Sequence, residues 1–176
     1  LDELFASPEC DALLARVREQ PVLRRLAGLP GVDDVWIVHA GLDPRWGDLD
    51  AVARRVNSAD HDDEWLESPD VAFATAVRCC TAAGARCRFA GLPEECPEGY
   101  EPWDRFYSGT VLVVHGHWAR RGYYRGRRTL GLDSGCVYGG DLTAWCHEED
   151  RIEQVPSRDR RSREVLDLGR GDGDRP

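Results

Sequence analysis

Val111-Leu112-Val113-Val114-His115-Gly116-His117-Trp118-Ala119 is the stretch on which the fold of this chain turns. Four apolar, mostly β-branched residues run into a histidine–glycine–histidine and then a basic turn, Arg120 and Arg121. A short continuous apolar run of this kind predicts a strand buried on both faces. Histidines just past its end stand where open α/β sheets bind their ligands. The pattern recurs upstream, where Asp34–Gly41 reads Asp-Val-Trp-Ile-Val-His-Ala-Gly. Two strands that each deliver one imidazole to a small-residue turn suggest a metal site built from His39 and His117. The competing reading is a pair of hydrogen-bonded histidines at strand ends.

Working outward, Ser7-Pro8-Glu9 is a helix-start signal, followed by an apolar face at Leu13, Leu14 and Val17. That face is read as continuing, with an interruption at Pro21, through Leu23 and Leu26 to Gly28. Val35–Val38 is the first strand. Asp48 caps a helix carrying Leu49, Val52, Ala53 and Val56, and Ser68-Pro69-Asp70 opens another that leads to Arg78. His61 lies in an acidic surface turn, Ala59–Glu64. Residues 81–109, rich in Gly, Pro and Glu with interspersed aromatics, read as a long ordered loop of the kind that is usually functional. Leu130–Asp133 is a strand running into a glycine turn over 134–140. Leu142–Cys146 and Ile152–Val155 form a hairpin with His147 at its end.

Composition narrows the function class. Apolar content of 41% and charged content of 31% are those of an ordinary globular domain. A net charge of −9 argues against a nucleic-acid polymer as partner, since a phosphate-backbone binder needs a positive surface. No apolar run approaches a membrane span, and no signal-peptide pattern opens the chain, so the expected compartment is the cytoplasm. All 23 basic residues are Arg, Met is absent, and the first residue is Leu1, which reads as a piece of a longer chain. Of seven cysteines, Cys79, Cys80, Cys87 and Cys96 cluster without the paired spacing of a zinc ribbon. They are expected to be reduced, part-buried thiols.

Three motifs carry a resemblance. Val38-His39-Ala40-Gly41-Leu42-Asp43-Pro44-Arg45-Trp46 resembles the His-Ala-Gly-(Ile/Leu)-x-Pro-x-Trp motif of the bacterial symmetrical diadenosine tetraphosphatases. Gly116-His117-Trp118-Ala119 matches that family's Gly-His-Trp-Ala. Leu132–Ala144 is similar to its Leu-Asp-(Thr/Ser)-Gly-Cys-x-(Trp/Tyr)-Gly-Gly-x-Leu-Thr. The three occur in the family's order within residues 10–156, which makes the set specific. The resemblance implies an α/β calcineurin-like metallophosphoesterase fold, two mixed β-sheets packed face to face with flanking helices. Here the fold is partial. The Gly-Asp-x-His-Gly, Gly-Asp-x-x-Asp-Arg-Gly and Gly-Asn-His motifs that open the family are missing, and Gly47-Asp48, Gly140-Asp141 and Gly171-Asp172 continue differently. Residues 1–156 therefore read as the C-terminal part of such a domain, without its N-terminal half, and 157–176 as a disordered charged tail.

What the resemblance implies for chemistry is hydrolysis of a phosphoanhydride or phosphoester by a hydroxide bridging two divalent metals, of manganese, iron, zinc or cobalt type. His39 and His117 would be ligands of one of them, and the chain by itself is expected to be inactive. Gly41 and Gly116 are expected to let the backbone approach the site. Thr75-Ala76-Val77-Arg78 is similar to the family's Thr-Arg-x-Arg with Ala76 in place of the first Arg, which makes Arg78 the candidate phosphate clamp. His115 is a candidate to support the metal ligands or contact phosphate, or else to pack. Trp46, Trp118 and Tyr138 are candidates to stack on a base. The expected substrate is a dinucleoside polyphosphate. A phosphoprotein substrate, or a catalytically incomplete domain that binds a metal or a partner, are the alternatives.

Overall fold

The two apolar runs pair with each other, and the rest of the fold is arranged about that pairing. The computed structural model describes residues 2–31, 34–57 and 63–158. In chain order its elements are α1 (Asp2–Phe5), α2 (Cys10–Arg18), β1 (Leu23–Leu26), β2 (Val35–Val38), α3 (Leu49–Val56), α4 (Asp63–Glu67) and α5 (Pro69–Ala76). There follow β3 (Cys79–Cys80), β4 (Glu101–Pro102), β5 (Leu112–His115), β6 (Tyr124–Arg125), β7 (Thr129–Gly131), β8 (Asp141–Cys146) and β9 (Arg151–Pro156). Five strands form one mixed sheet in the order β1-β2-β5-β7-β6, with the central β2–β5 and β5–β7 pairs parallel and the outer pairs antiparallel. Two antiparallel ribbons, β3–β4 and β8–β9, lie beside it. The α/β class is as the sequence predicts, and among the described residues the sheet content beyond the main sheet is these two ribbons.

Strand alternation sends successive side chains of β2 and β5 to opposite faces. Trp36, Val38 and Val113 face a core completed by Val52 and Val56 of α3 and Val71, Phe73 and Ala74 of α5. Val35, Val114 and Leu130 face the other side, where Trp145 and Ile152 of the β8–β9 ribbon pack against them. Each such burial stabilises by roughly 1.5–3 kcal/mol. Two helices start where their caps predict, whereas the one read from Ser7-Pro8-Glu9 begins at Cys10, after Glu9 and without a side-chain cap. The Asp48 side chain accepts from Ala51 N–H at 3.0 Å, and that of Ser68 from Val71 N–H at 3.4 Å ahead of Pro69.

The structure corrects three expectations. Leu23–Leu26 is a strand, not the end of a helix. A spacing of three serves either element, and the choice is made elsewhere: Asn57 accepts from Val22 and Leu23 N–H and donates to the Leu23 carbonyl, setting the segment against β2. The helix leading to Arg78 stops at Ala76, because Val77 is extended and Cys79–Cys80 pairs with β4. The cysteine cluster is not wholly reduced: Cys79 and Cys96 form a disulfide with Cα atoms 6.3 Å apart, within the range such bonds require. The β3–β4 ribbon folds the long loop back on itself, so a separation of 17 residues closes without any short spacing in sequence. The other five cysteines are free thiols. His61, with residues 59–62 of the acidic turn, and the charged tail beyond Arg158 lie outside the described residues, whereas Asp63 and Glu64 of that turn open α4 and Ser157 donates its N–H to the Gly140 carbonyl.

Candidate functional site

Parallel pairing of β2 with β5 continues one step past the strand ends, where Gly116 N–H donates to the His39 carbonyl at 2.9 Å. That bond sets the two turns side by side. His117 adopts a positive φ of 68°, a conformation rare for a residue with a Cβ and one that collects at functional sites. As a result His39 Nε2 and His117 Nδ1 lie 3.2 Å apart, with ring centroids separated by 5.1 Å. The sequence separation of these two residues is 78 positions. Burial, and then the positive fields of Arg78 and His39, push the His117 ring down to a pKa of about 4, against the pull of the Ala76 backbone and Asp133. It is neutral at neutral pH and keeps a lone pair for a ligand bond.

Arg78 stands beside this pair. Its Nη1 donates to the Phe89 carbonyl at 3.0 Å and its Nη2 to the His117 carbonyl at 3.4 Å. Burial lowers its pKa, with Tyr138 and Asp133 acting in the opposite sense. No carboxylate forms an ion pair with it among the described residues, so a half-buried guanidinium is left without a counter-ion. His39, His117, Arg78, Asp133 and Tyr138 together line a cavity of about 370 Å³. On the other side of the histidines lies a larger, mainly apolar cleft of about 1020 Å³, floored by Ile37, Val38 and Val114 of the sheet and walled by Val17.

The remaining candidates separate. His115 is buried with its ring edge-on to Trp103 at 5.1 Å, opposite Gly131 of β7, and neither ring nitrogen has a hydrogen-bond partner of good geometry. It is a packing residue, because alternation along β5 turns it to the helix-covered core. Trp118 is also buried: its indole N–H donates to the Gly91 carbonyl at 2.9 Å, and its ring meets Phe89 and Arg121. Trp46 donates to Asp70 and packs on Phe73. Trp118 is buried as an anchor, and Trp46 is half-buried beside a different pocket. Tyr138, 41% exposed, keeps a free face at the cavity mouth. Gly41 is required by packing, since a Cβ there would stand 2.6 Å from the Trp103 ring, whereas a Cβ at Gly116 would meet only ordinary contacts. His147 sits in the β8–β9 turn against Trp145, away from the paired imidazoles.

Two residues at the site carry no distinguishing sign in the sequence. Asp133 follows an apolar strand and belongs to the third motif, but an aspartate before Ser-Gly reads as turn chemistry, and it does accept from Gly135 N–H. Arg120 is one of two adjacent arginines and only the structure separates their roles.

With this geometry in view, the chain was compared with known proteins. No family model matches it. It is 31% identical over 199 residues to the symmetrical bis(5'-nucleosyl)-tetraphosphatase of Acidovorax ebreus, covering 89% of this chain and 69% of that protein. The chain belongs to the symmetrical bis(5'-nucleosyl)-tetraphosphatase family. The family's members from Aeromonas hydrophila and Ralstonia nicotianae are 30% and 31% identical, over 89% and 82% of this chain. The chain spans 67% of the Aeromonas tetraphosphatase and 59% of the Ralstonia one. A crystal structure provisionally assigned as a diadenosine tetraphosphatase overlays with a TM-score of 0.47 at 29% identity, covering 70% of this chain and 46% of its own.

A resident metal is implied by the metallophosphoesterase resemblance, and the donor set can be tested against it. Two ring nitrogens facing one another, one of them held neutral, fit a divalent ion bound by imidazole. Among the described residues no third histidine, cysteine or carboxylate joins them in a cluster that could hold the ion alone. The fit is that of two ligands out of a larger set.

Proposed function

We propose that this chain is the histidine-bearing portion of a hydrolase that splits dinucleoside polyphosphates, with His39 and His117 as ligands of one of two divalent metals. The observation that supports this reading most is the 3.2 Å approach of the two imidazoles beside an unpaired, half-buried Arg78. For a symmetrical cleavage the reaction consumes one water and one dinucleoside tetraphosphate and yields two nucleoside diphosphates. The metals would supply the attacking hydroxide and neutralise charge on the phosphoryl group.

The roles of the chain's own side chains follow from their chemistry. His117, neutral and fixed by its backbone turn, presents Nδ1 toward the ion. His39 presents Nε2 from the neighbouring strand. Arg78, oriented by two backbone carbonyls, offers its outward N–H groups to phosphate oxygens. Tyr138 offers the face on which a base can rest. The apolar cleft along Ile37 and Val114 is the surface against which we expect the N-terminal half of the domain, carrying the remaining ligands, to pack.

The test is metal binding. Titrated with Mn²⁺, and read by electron paramagnetic resonance of the free ion, the chain joined to the rest of its domain should lose one metal equivalent in His39→Ala and in His117→Ala. It should lose none in His147→Ala. Hydrolysis of diadenosine tetraphosphate to two molecules of adenosine diphosphate should fall by at least about 100-fold in the same two variants. Unchanged metal stoichiometry in both would remove the basis of this reading.

A further inference from the structure

Arg78 is not alone in the cavity beside the histidines. Arg120 lines it too, from the turn that follows Trp118. Its Nη1 reaches the Ala90 carbonyl at 3.4 Å, and its Nε is buried without any hydrogen-bond partner. No carboxylate pairs with it among the described residues. The two guanidiniums therefore hang from adjacent carbonyls of one loop, Phe89 and Ala90, and line the same small cavity, with the Arg120 Nε unmet.

An unmet N–H on a partly buried guanidinium is costly unless an oxygen completes it. The oxygens that match a planar five-donor fork are those of phosphate or carboxylate. One phosphate held by Arg78 beside the imidazoles leaves Arg120 unengaged. A second phosphate bonded to the first would satisfy it. We propose that Arg120 is a second phosphate-contacting arm, which makes the cavity select a chain of two or more phosphates over a single phosphate. The proposal rests on the reading of this cavity as a phosphate site and adds to it a residue and a preference.

The test uses inorganic phosphate and inorganic pyrophosphate as probes, titrated calorimetrically into wild type, Arg78→Gln, Arg120→Gln and Arg120→Lys. Wild type should bind pyrophosphate about tenfold more tightly than phosphate. Arg120→Gln should abolish that preference with little change in phosphate affinity, while Arg78→Gln weakens both probes. Arg120→Lys, which keeps the charge and loses the fork, should retain part of the preference. Glutamine preserves a donor for the Ala90 carbonyl, and a thermal melt checks each fold. If Arg120→Gln does not fold, Arg120→Lys carries the comparison. Loss of binding in Arg78→Gln with an intact pyrophosphate preference in Arg120→Gln overturns the role of Arg120 and leaves the phosphate site standing. Absence of binding by wild type, or indifference of both probes to Arg78→Gln, overturns the two together.

Discussion

Arg120 and Arg121 are neighbours in one turn and have opposite surroundings. Arg121 is 7% exposed and locked in a two-pronged ion pair with Asp104, itself 3% exposed, with its guanidinium between the rings of Trp118 and Tyr124. Arg120 and, across the cavity, Arg78 have carbonyl partners only. In a protein whose basic residues are all arginine, residue type says nothing about role. What distinguishes a structural cation from a binding one is whether the fold has already supplied its anion. A buried pair complete in itself holds the turn together, and a cation without its anion is, on the proposal made above, one that a ligand completes.

The largest effect that could break this contrast is on stability. Asp104→Ala strands the Arg121 charge in the core and should cost about 3–5 kcal/mol, read as a lowered denaturant midpoint, whereas Arg120→Gln should stay within about 1 kcal/mol. Equal losses would erase the distinction. Next comes the disulfide that ties the loop behind Arg78 and Arg120. Reducing Cys79–Cys96, or replacing Cys96 by serine, should lower stability by about 3 kcal/mol, a value set by the length of the closed loop. Cys80, buried and with its thiol pushed up to about 12, should resist alkylation at pH 8 until that loop opens.

A smaller effect sharpens the contrast from the side of the histidines. Burial pushes His115 down to a pKa of about 4 from 6.5, so the unfolded chain takes up a proton that the native state refuses. The stability this residue permits is complete above about pH 6.5 and lost as pH falls toward 4, by about 2 kcal/mol at pH 5. In His115→Phe the melting temperature should vary less between pH 7 and pH 5 than in wild type. The smallest effect concerns backbone strain. His117→Gly removes the Cβ penalty at φ 68° and should be about 1 kcal/mol more stable than His117→Ala by denaturant titration, although both lose the imidazole.

Much of this was legible beforehand, and the reason is periodicity. Val35–Val38 and Leu112–His115 are short apolar runs that read as strands, and their parallel pairing sets side by side the turns that follow them, where the positive φ of His117 completes its meeting with His39. The capped helices and the β8–β9 hairpin carried equally local signals. Illegible features depended on long-range partners. Leu23–Leu26 became a strand through Asn57 and β2, and Cys79 found Cys96 through a ribbon two residues wide. Trp118, quoted as a base platform, was buried by the Gly91 carbonyl and Phe89 from the long loop. Nothing in the run Arg120-Arg121 foretold which guanidinium Asp104 would claim.

The three carbonyls of Phe89, Ala90 and Gly91 receive Arg78, Arg120 and Trp118 in that order. Because the acceptors belong to the main chain, the exposed Ala90 side chain is free to change, whereas Phe89 packs on Trp118 and a Cβ at Gly91 would meet the Glu95 carboxylate and the Phe89 ring. Substitutions at Ala90 should therefore pass with little consequence for where the arginines are aimed, so long as the backbone path is kept. Deleting a single residue between Gly91 and the anchored Cys96 would shift all three acceptors at once, and with them both guanidiniums and the indole. Drift at Ala90 would leave the three acceptors in place, whereas a change in loop length would move them together.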